Sequence, residues 1–217
     1  MSVPSPGWYP DPDGARVVRW WDGGQWTPQE RPVPSLNDLQ AAVEAGVPLP
    51  TGATLAYRLT RFSYRRPLSY GIDNALGEEL AQIEPADPTT RRGSVLTVDG
   101  RAQLTFVSDP NGMVVRGPGG FVGRIARQPF ATGMRLSAGD QRVGTLRQRT
   151  VHAAVEIRGG EGEAQAGIER SRLGFTSARL SVLTMLADPV RIPPPLLLAV
   201  VPAFDVLRRE ERRRGPR

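Results

Sequence analysis

The sequence predicts a mainly β fold: a closed antiparallel β-barrel around a central hydrophobic C-terminal helix, preceded by a small Trp-rich β-hairpin module. Three observations carry this. All four tryptophans, Trp8, Trp20, Trp21 and Trp26, fall within the first 26 residues and mark a separate unit. From Leu55 onward, short strand-like runs alternate with turn signals, and three of these runs share an apolar–Gly core. The longest apolar stretch, Ile192–Leu207, comes last.

Composition narrows the options. A chain of 217 residues suits one sizeable domain plus a small one. The 39% apolar and 23% charged content is that of a globular protein. The 24 glycines and 21 prolines favour many turns and short strands over a helical bundle. With no cysteine, disulfides, thiolate nucleophiles and Cys-ligated metals are excluded. All 28 cations are arginines, which rules out Schiff-base lysines and the P-loop lysine. A GC-rich genome is the plain explanation of that bias.

The net charge of +6 is unevenly spread: Arg208–Arg217 holds six Arg and two Glu, a net +4. The high pI therefore records one short tail, and no nucleic-acid partner is expected. The N-terminus has no charged segment leading into an apolar one, so no secretory signal is read there. Ile192–Leu207 contains four prolines and Asp205, and at 16 residues it is too short to span a bilayer, which takes about 20.

In the module, Asp11-Pro12-Asp13-Gly14 is a turn signature, Arg16–Trp21 reads as a strand, and Asp22-Gly23 leads a hairpin into Gln25-Trp26-Thr27. Gly7-Trp8-Tyr9-Pro10-Asp11-Pro12, then Arg19-Trp20-Trp21-Asp22-Gly23 and Trp26-Thr27, resembles a short bacterial domain of unknown function that commonly precedes other domains or membrane segments. The resemblance covers residues 6 to about 28 and implies an accessory module with no known chemistry. Thr27–Pro34 reads as an extended proline-rich linker. Ser35 is expected to cap a short helix with Asp38 in its first turn, Leu36, Leu39 and Val43 on one face, and Gly46 at its stop.

In the larger domain, Asp99-Gly100 is a type I′ hairpin signal, and Asp109-Pro110-Asn111-Gly112 turns the chain again. Phe121–Ile125, Arg142–Leu146 and Gln165–Glu169 repeat an apolar–Gly core, with glycines 21 and 23 residues apart. That period is about one hairpin, and a glycine inside each strand predicts a bulge or close backbone approach, as a closing meander requires. After Asp188-Pro189, three prolines lead into a helix of roughly 14 residues ending at Leu207, apolar nearly all round and interrupted by Pro202.

With Tyr70-Gly71-Ile72-Asp73, Gly77–Ile83, the three repeat cores and Asp188-Pro189 ahead of the Leu-rich helix, residues 52–210 resemble the scramblase and LURP-one branch of the Tubby-like superfamily. The resemblance implies a closed barrel of about twelve strands threaded by a hydrophobic helix, and a role at phospholipid membranes. The sequence departs from the family in having no cysteine-rich palmitoylation segment and no calcium loop. The expected organisation is a module at 1–28, a linker and short helix at 29–51, the barrel with its helix at 52–210 and a basic tail at 211–217.

No catalytic constellation emerges, and no metal or cofactor is expected. His152, the single histidine, lacks a nucleophile elbow or a second histidine and reads as structural or surface. Gly117–Gly123 lacks the Gly-x-Gly-x-x-Gly spacing and reads as a turn. Glu78-Glu79, Glu161/Glu163 and Glu210-Glu211 read as solvated faces. Trp8, Tyr9, Trp20, Trp21 and Trp26 are candidates for binding a partner, set against a simple mini-core. Arg208, Arg209, Arg212, Arg213 and Arg214 are candidates for lipid headgroups, set against a helix end with dipole complement. The expected function is a non-enzymatic, cytoplasmic protein, peripheral at the inner membrane face and associated with anionic phospholipid. The alternative is a soluble adaptor that binds a protein partner through the Trp-rich module.

Overall fold

The computed structural model describes residues 4–61, 68–87, 93–109, 111–128, 133–148, 154–172 and 179–214. Strands β1 (Gly7–Pro10), β2 (Val17–Trp21) and β3 (Trp26–Pro32) form a three-stranded antiparallel sheet in sequence order. Helix α1 (Leu36–Glu44) follows. Ser35 accepts from the Asp38 N–H, and the Asp38 carboxylate accepts from the Ser35 N–H, a reciprocal capping box. Hydrogen bonding from Ser35 holds the Asp38 carboxyl below its ordinary range. Gly46, at φ +68°, ends the helix.

Twelve strands then close a barrel: β4 (Thr54–Arg61), β5 (Ser69–Asp73), β6 (Glu79–Pro85), β7 (Gly93–Val98), β8 (Arg101–Asp109), β9 (Gly112–Gly117), β10 (Gly120–Arg127), β11 (Gly133–Ala138), β12 (Gln141–Gln148), β13 (Val155–Gly159), β14 (Ala164–Arg172) and β15 (Arg179–Met185). Each pairs antiparallel with the next, and β15 pairs with β4 to close the ring. Closure leaves the barrel without a free sheet edge. Asp99 and Gly100 have φ of +50° and +70°, as the type I′ turn between β7 and β8 requires. Gly117 and Gly120 close the β9–β10 hairpin, so the glycine run there is a turn.

The repeated glycines serve the closure in two cases of three. The register shifts beside Gly123, and a Cβ there would run into the Ser137 carbonyl of β11 and the Leu196 side chain. A Cβ on Gly144 would meet the Arg158 carbonyl of β13, with Ile192 beyond it. Gly167 meets only ordinary contact from Leu186.

Helix α2 (Pro194–Arg214) passes through the barrel. Leu196, Leu198, Ala199, Val200, Val201 and Ala203 are wholly buried, against a wall that includes Leu55, Ile72, Ile125 and Leu136. A helix buried on every side must be apolar all round, as this one is up to Phe204. Helix α1 packs on α2, β6, β7 and β8 and covers the end where α2 begins.

Two segments differ from the sequence expectation. Thr27–Pro34 is not a free linker: the chain pairs with β2 through Pro32, so the module is a three-stranded sheet and not a lone hairpin. Pro28 and Pro32 are tolerated because β3 is an edge strand, where a missing N–H costs no ladder bond. Helix α2 also runs to Arg214, making 21 residues and about 31 Å, instead of ending at Leu207. Arg and Glu are good helix formers, and Glu210 lies four residues before Arg214, the favourable order for a pair.

Pro202 lies inside α2 and has no N–H to offer the Leu198 carbonyl four residues earlier. The Tyr57 hydroxyl, fully buried on β4, donates to that carbonyl at 3.1 Å. Burial alone drives the Tyr57 phenol far above its usual range, so it remains a donor at any ordinary pH. Tyr57→Phe should therefore lower unfolding free energy by about 1–3 kcal/mol, the cost of an unsatisfied buried acceptor. Pro202→Ala restores the missing N–H, and the double variant should recover most of that loss in a denaturant-melt cycle; additive effects would refute the link.

Candidate functional site

Alternation along the module strands sorts its side chains onto two faces. One face holds Trp8, Val18, Trp20 and Arg31. Trp8 pairs with Trp20 in register, their rings edge-to-face at 5.4 Å, and the Arg31 guanidinium lies 4.0 Å over the Trp8 ring. Val18 is buried, and burial lowers the Arg31 pKa against an opposing pull from Glu169 of β14, which places this face towards the barrel.

The other face holds Tyr9, Trp21 and Trp26. Trp21 and Trp26 stand opposite each other in register, 5.3 Å apart and edge-to-face, and Tyr9 meets Trp26 at 6.3 Å. Trp26 is the most exposed of the tryptophans at 37%. Pro4 and Ser5 lie across this face: the Trp21 indole N–H donates to the Pro4 carbonyl at 3.2 Å, and the Tyr9 hydroxyl to the Ser5 carbonyl at 2.8 Å. Beside the aromatics, Arg19 is ringed by Asp11 and Glu30 at 2.8 Å and Asp13 at 3.5 Å, and the Glu30 hydrogen bond leads in raising its pKa.

The module is clasped to the barrel at the β5–β6 turn. Arg16 donates to the Val33 and Pro34 carbonyls and to Glu78 at 2.6 Å. Buried Asn74 donates to Pro34 and to Glu78 and accepts from the Leu76 and Glu78 N–H groups. The Asn74 amide, followed by Arg16, holds the Glu78 carboxyl below its usual range.

At the far end of the barrel, α2 carries a buried charge. Asp205 accepts from the Tyr70 hydroxyl and pairs with Arg170, each at 2.8 Å, and the Arg170 guanidinium lies 4.5 Å over the Phe204 ring. Tyr70 is the second residue of β5, and Arg170 the third from the end of β14, so α2 leaves the barrel just beyond Asp205. Arg208, Arg209, Arg212, Arg213 and Arg214 occupy the helical turns that follow.

Residues 6–38 match the family described as protein of unknown function, DUF2510. The DUF2510 match thus takes in all three strands and the cap of α1, reaching beyond the boundary near residue 28 that the tryptophan spacing indicated. No curated protein sequence matches the chain. The X-ray structure of a protein from Arabidopsis thaliana is similar, with a TM-score of 0.56 and 14% identity over 77% of this chain and 98% of that one. At this identity the likeness shows the fold alone.

The structure brings Tyr9, Trp21 and Trp26 together and separates them from Trp8 and Trp20, as adjacent residues of a strand must be. The basic candidates lie on α2 and on neither face of the module. His152 lies outside the described residues. Glu78 and Glu79 are engaged by Arg16 and Arg58, and Glu161 by Arg191. Among the described residues, no group of three His, Asp or Glu could hold a metal ion, and no helix is long and apolar enough to cross a membrane, which says nothing of strands. Sequence reasoning missed Arg31, Arg19 and the Pro4–Ser5 carbonyls. Arg31 and Arg19 could have been found by pairing strand positions, but no pattern marks a backbone carbonyl.

A depressed carboxyl stabilises above its unfolded pKa and ceases to as pH falls through its folded one. The clasp should therefore loosen below the ordinary Glu range. The Asn74 side-chain amide resonances should show one titration with a midpoint under that range, absent in Glu78→Gln.

Proposed function

We propose that the chain is a non-catalytic cytoplasmic protein of bacterial type that meets the anionic inner face of a phospholipid membrane, with a barrel of the scramblase and LURP-one branch of the Tubby-like superfamily. The observation that carries this reading is the continuation of α2 beyond the rim. At 3.6 residues per turn, positions 208, 209, 212 and 213 share one contiguous arc of the helix, while Glu210, Glu211 and Arg214 fall on the other. Arg61, Arg127, Arg147, Arg172 and Arg179 stand at or next to strand ends of that same rim. The opposite rim carries Asp73, Glu79, Asp99, Asp140 and Glu163 beside Arg101, Arg116 and Arg142, and Glu84 and Asp109 stand at the rim of the tail, so the tail is the more distinctive cationic feature. A cationic helical arc at one rim orients a protein on a negative surface.

Each arginine near an anionic surface contributes about 1 kcal/mol. Replacing Arg208, Arg209, Arg212 and Arg213 with Gln should weaken flotation with phosphatidylserine-containing vesicles by about 1,000-fold at physiological salt, as should deletion of residues 208–217. Equal recovery with phosphatidylcholine vesicles would sink the electrostatic part.

A second reading is favoured by the Tyr9–Trp21–Trp26 face, which is turned away from the buried Val18 face: a soluble adaptor that binds a protein partner there. Trp21→Ala should then abolish capture of that partner while the chain stays folded by circular dichroism, and unchanged capture would count against it.

A further inference from the structure

The seating of the chain's own Pro4-Ser5-Pro6 on the module's aromatic face is the observation that goes furthest. Two donors from neighbouring strands, the Trp21 indole N–H and the Tyr9 hydroxyl, meet two consecutive carbonyls, Pro4 and Ser5. Pro6 continues over the β2–β3 turn, where a Cβ on Gly23 would stand 3.3 Å from its ring. A proline-rich segment lacks N–H groups at its prolines and offers its carbonyls outward, so a surface reads it with aromatic rings and side-chain donors. This face supplies both. We infer that the Tyr9–Trp21–Trp26 face is a binding site for proline-rich peptides in extended conformation, occupied in cis by Pro4-Ser5-Pro6.

The inference rests on the adaptor reading and names its ligand class and its control. The charge of the face argues for a peptide and against a lipid headgroup, because Arg19 is its one cation among the described residues and is already engaged by Asp11, Asp13 and Glu30. The cis contacts are exposed, and water can take over either hydrogen bond. Tethering gives the segment a high effective concentration, so it competes with any free ligand despite its few contacts. Trp26 remains the most open ring, and a longer peptide can cover it as well.

The test is anisotropy of fluorescein-labelled octaproline titrated with the full chain carrying no added tag ahead of Pro4-Ser5-Pro6. A full-length variant with Pro4→Gly, Ser5→Gly and Pro6→Gly loses the preset extended conformation of the segment and should bind octaproline about ten-fold more tightly. In that background Trp21→Phe keeps a ring and loses the donor, and it should weaken binding several-fold with the melting temperature unchanged. Trp8→Phe, on the opposite face, should leave binding intact. Equal affinity for the two N-termini overturns cis occupancy. Absence of octaproline binding to the glycine variant overturns the site itself. Neither result touches the adaptor reading, which stands or falls on the partner-capture experiment with Trp21→Ala.

Discussion

A helix threaded through a closed barrel has no water to turn to, so every polar group on its buried length needs a partner from the wall. Pro202 creates the sharpest instance by leaving the Leu198 carbonyl without its helical donor. Tyr57 answers it from β4. The residue on the wall is thereby set in kind, since phenylalanine would fill the space but not the bond, and the match also fixes how α2 is turned and how deep it sits. Asp205 sets the same coordinate one level higher, where Tyr70 and Arg170 hold it from β5 and β14. A buried ion pair offers little net stability, but removing one member leaves a buried charge unpaired, so it selects a single registration of the helix.

The wall is shaped to receive that helix. At Gly123 and Gly144 the strand backbone approaches its neighbour closely on one side and Leu196 or Ile192 on the other, which no larger residue would permit. The interior is consequently packed with side chains of α2, and a filled barrel is a scaffold whose recognition surfaces lie outside or at its rims. Helix α1 covers the rim where α2 enters, its Leu39 and Ala42 wholly buried.

Much of this was legible in the sequence because it is local. Asp99-Gly100 announces its turn, Ser35 and Asp38 their capping box, the tryptophan cluster its module, and the apolar–Gly repeats a closing meander. The misreadings also have local causes. Thr27–Pro34 looks like a linker because proline is a poor strand residue, yet an edge strand with a free N–H side tolerates it. Leu207 looks like a helix end because the apolar run stops there, whereas helix propensity continues to Arg214. What could not be read is long-range. Tyr57 and Leu198 are 141 residues apart, and Tyr70 and Asp205 are 135 apart, so no periodicity links them. The site face depended on a hydroxyl and an indole finding carbonyls, and carbonyls are the same in every residue.

The antiparallel meander gives the molecule two ends with different chemistry. The β5–β6 connection brings Asn74 and Glu78 to the rim where α1 sits, and there the module is clasped. Tyr70 and Arg170 stand towards the other rim, so the helix that they hold emerges at the rim opposite the β5–β6 turn. The positive arc of α2 and the aromatic face of the module therefore belong to different elements. Neither surface contributes residues to the other. The helix-filled barrel joins the two as one packed core, with α2 held at its exit by Tyr70 and Arg170.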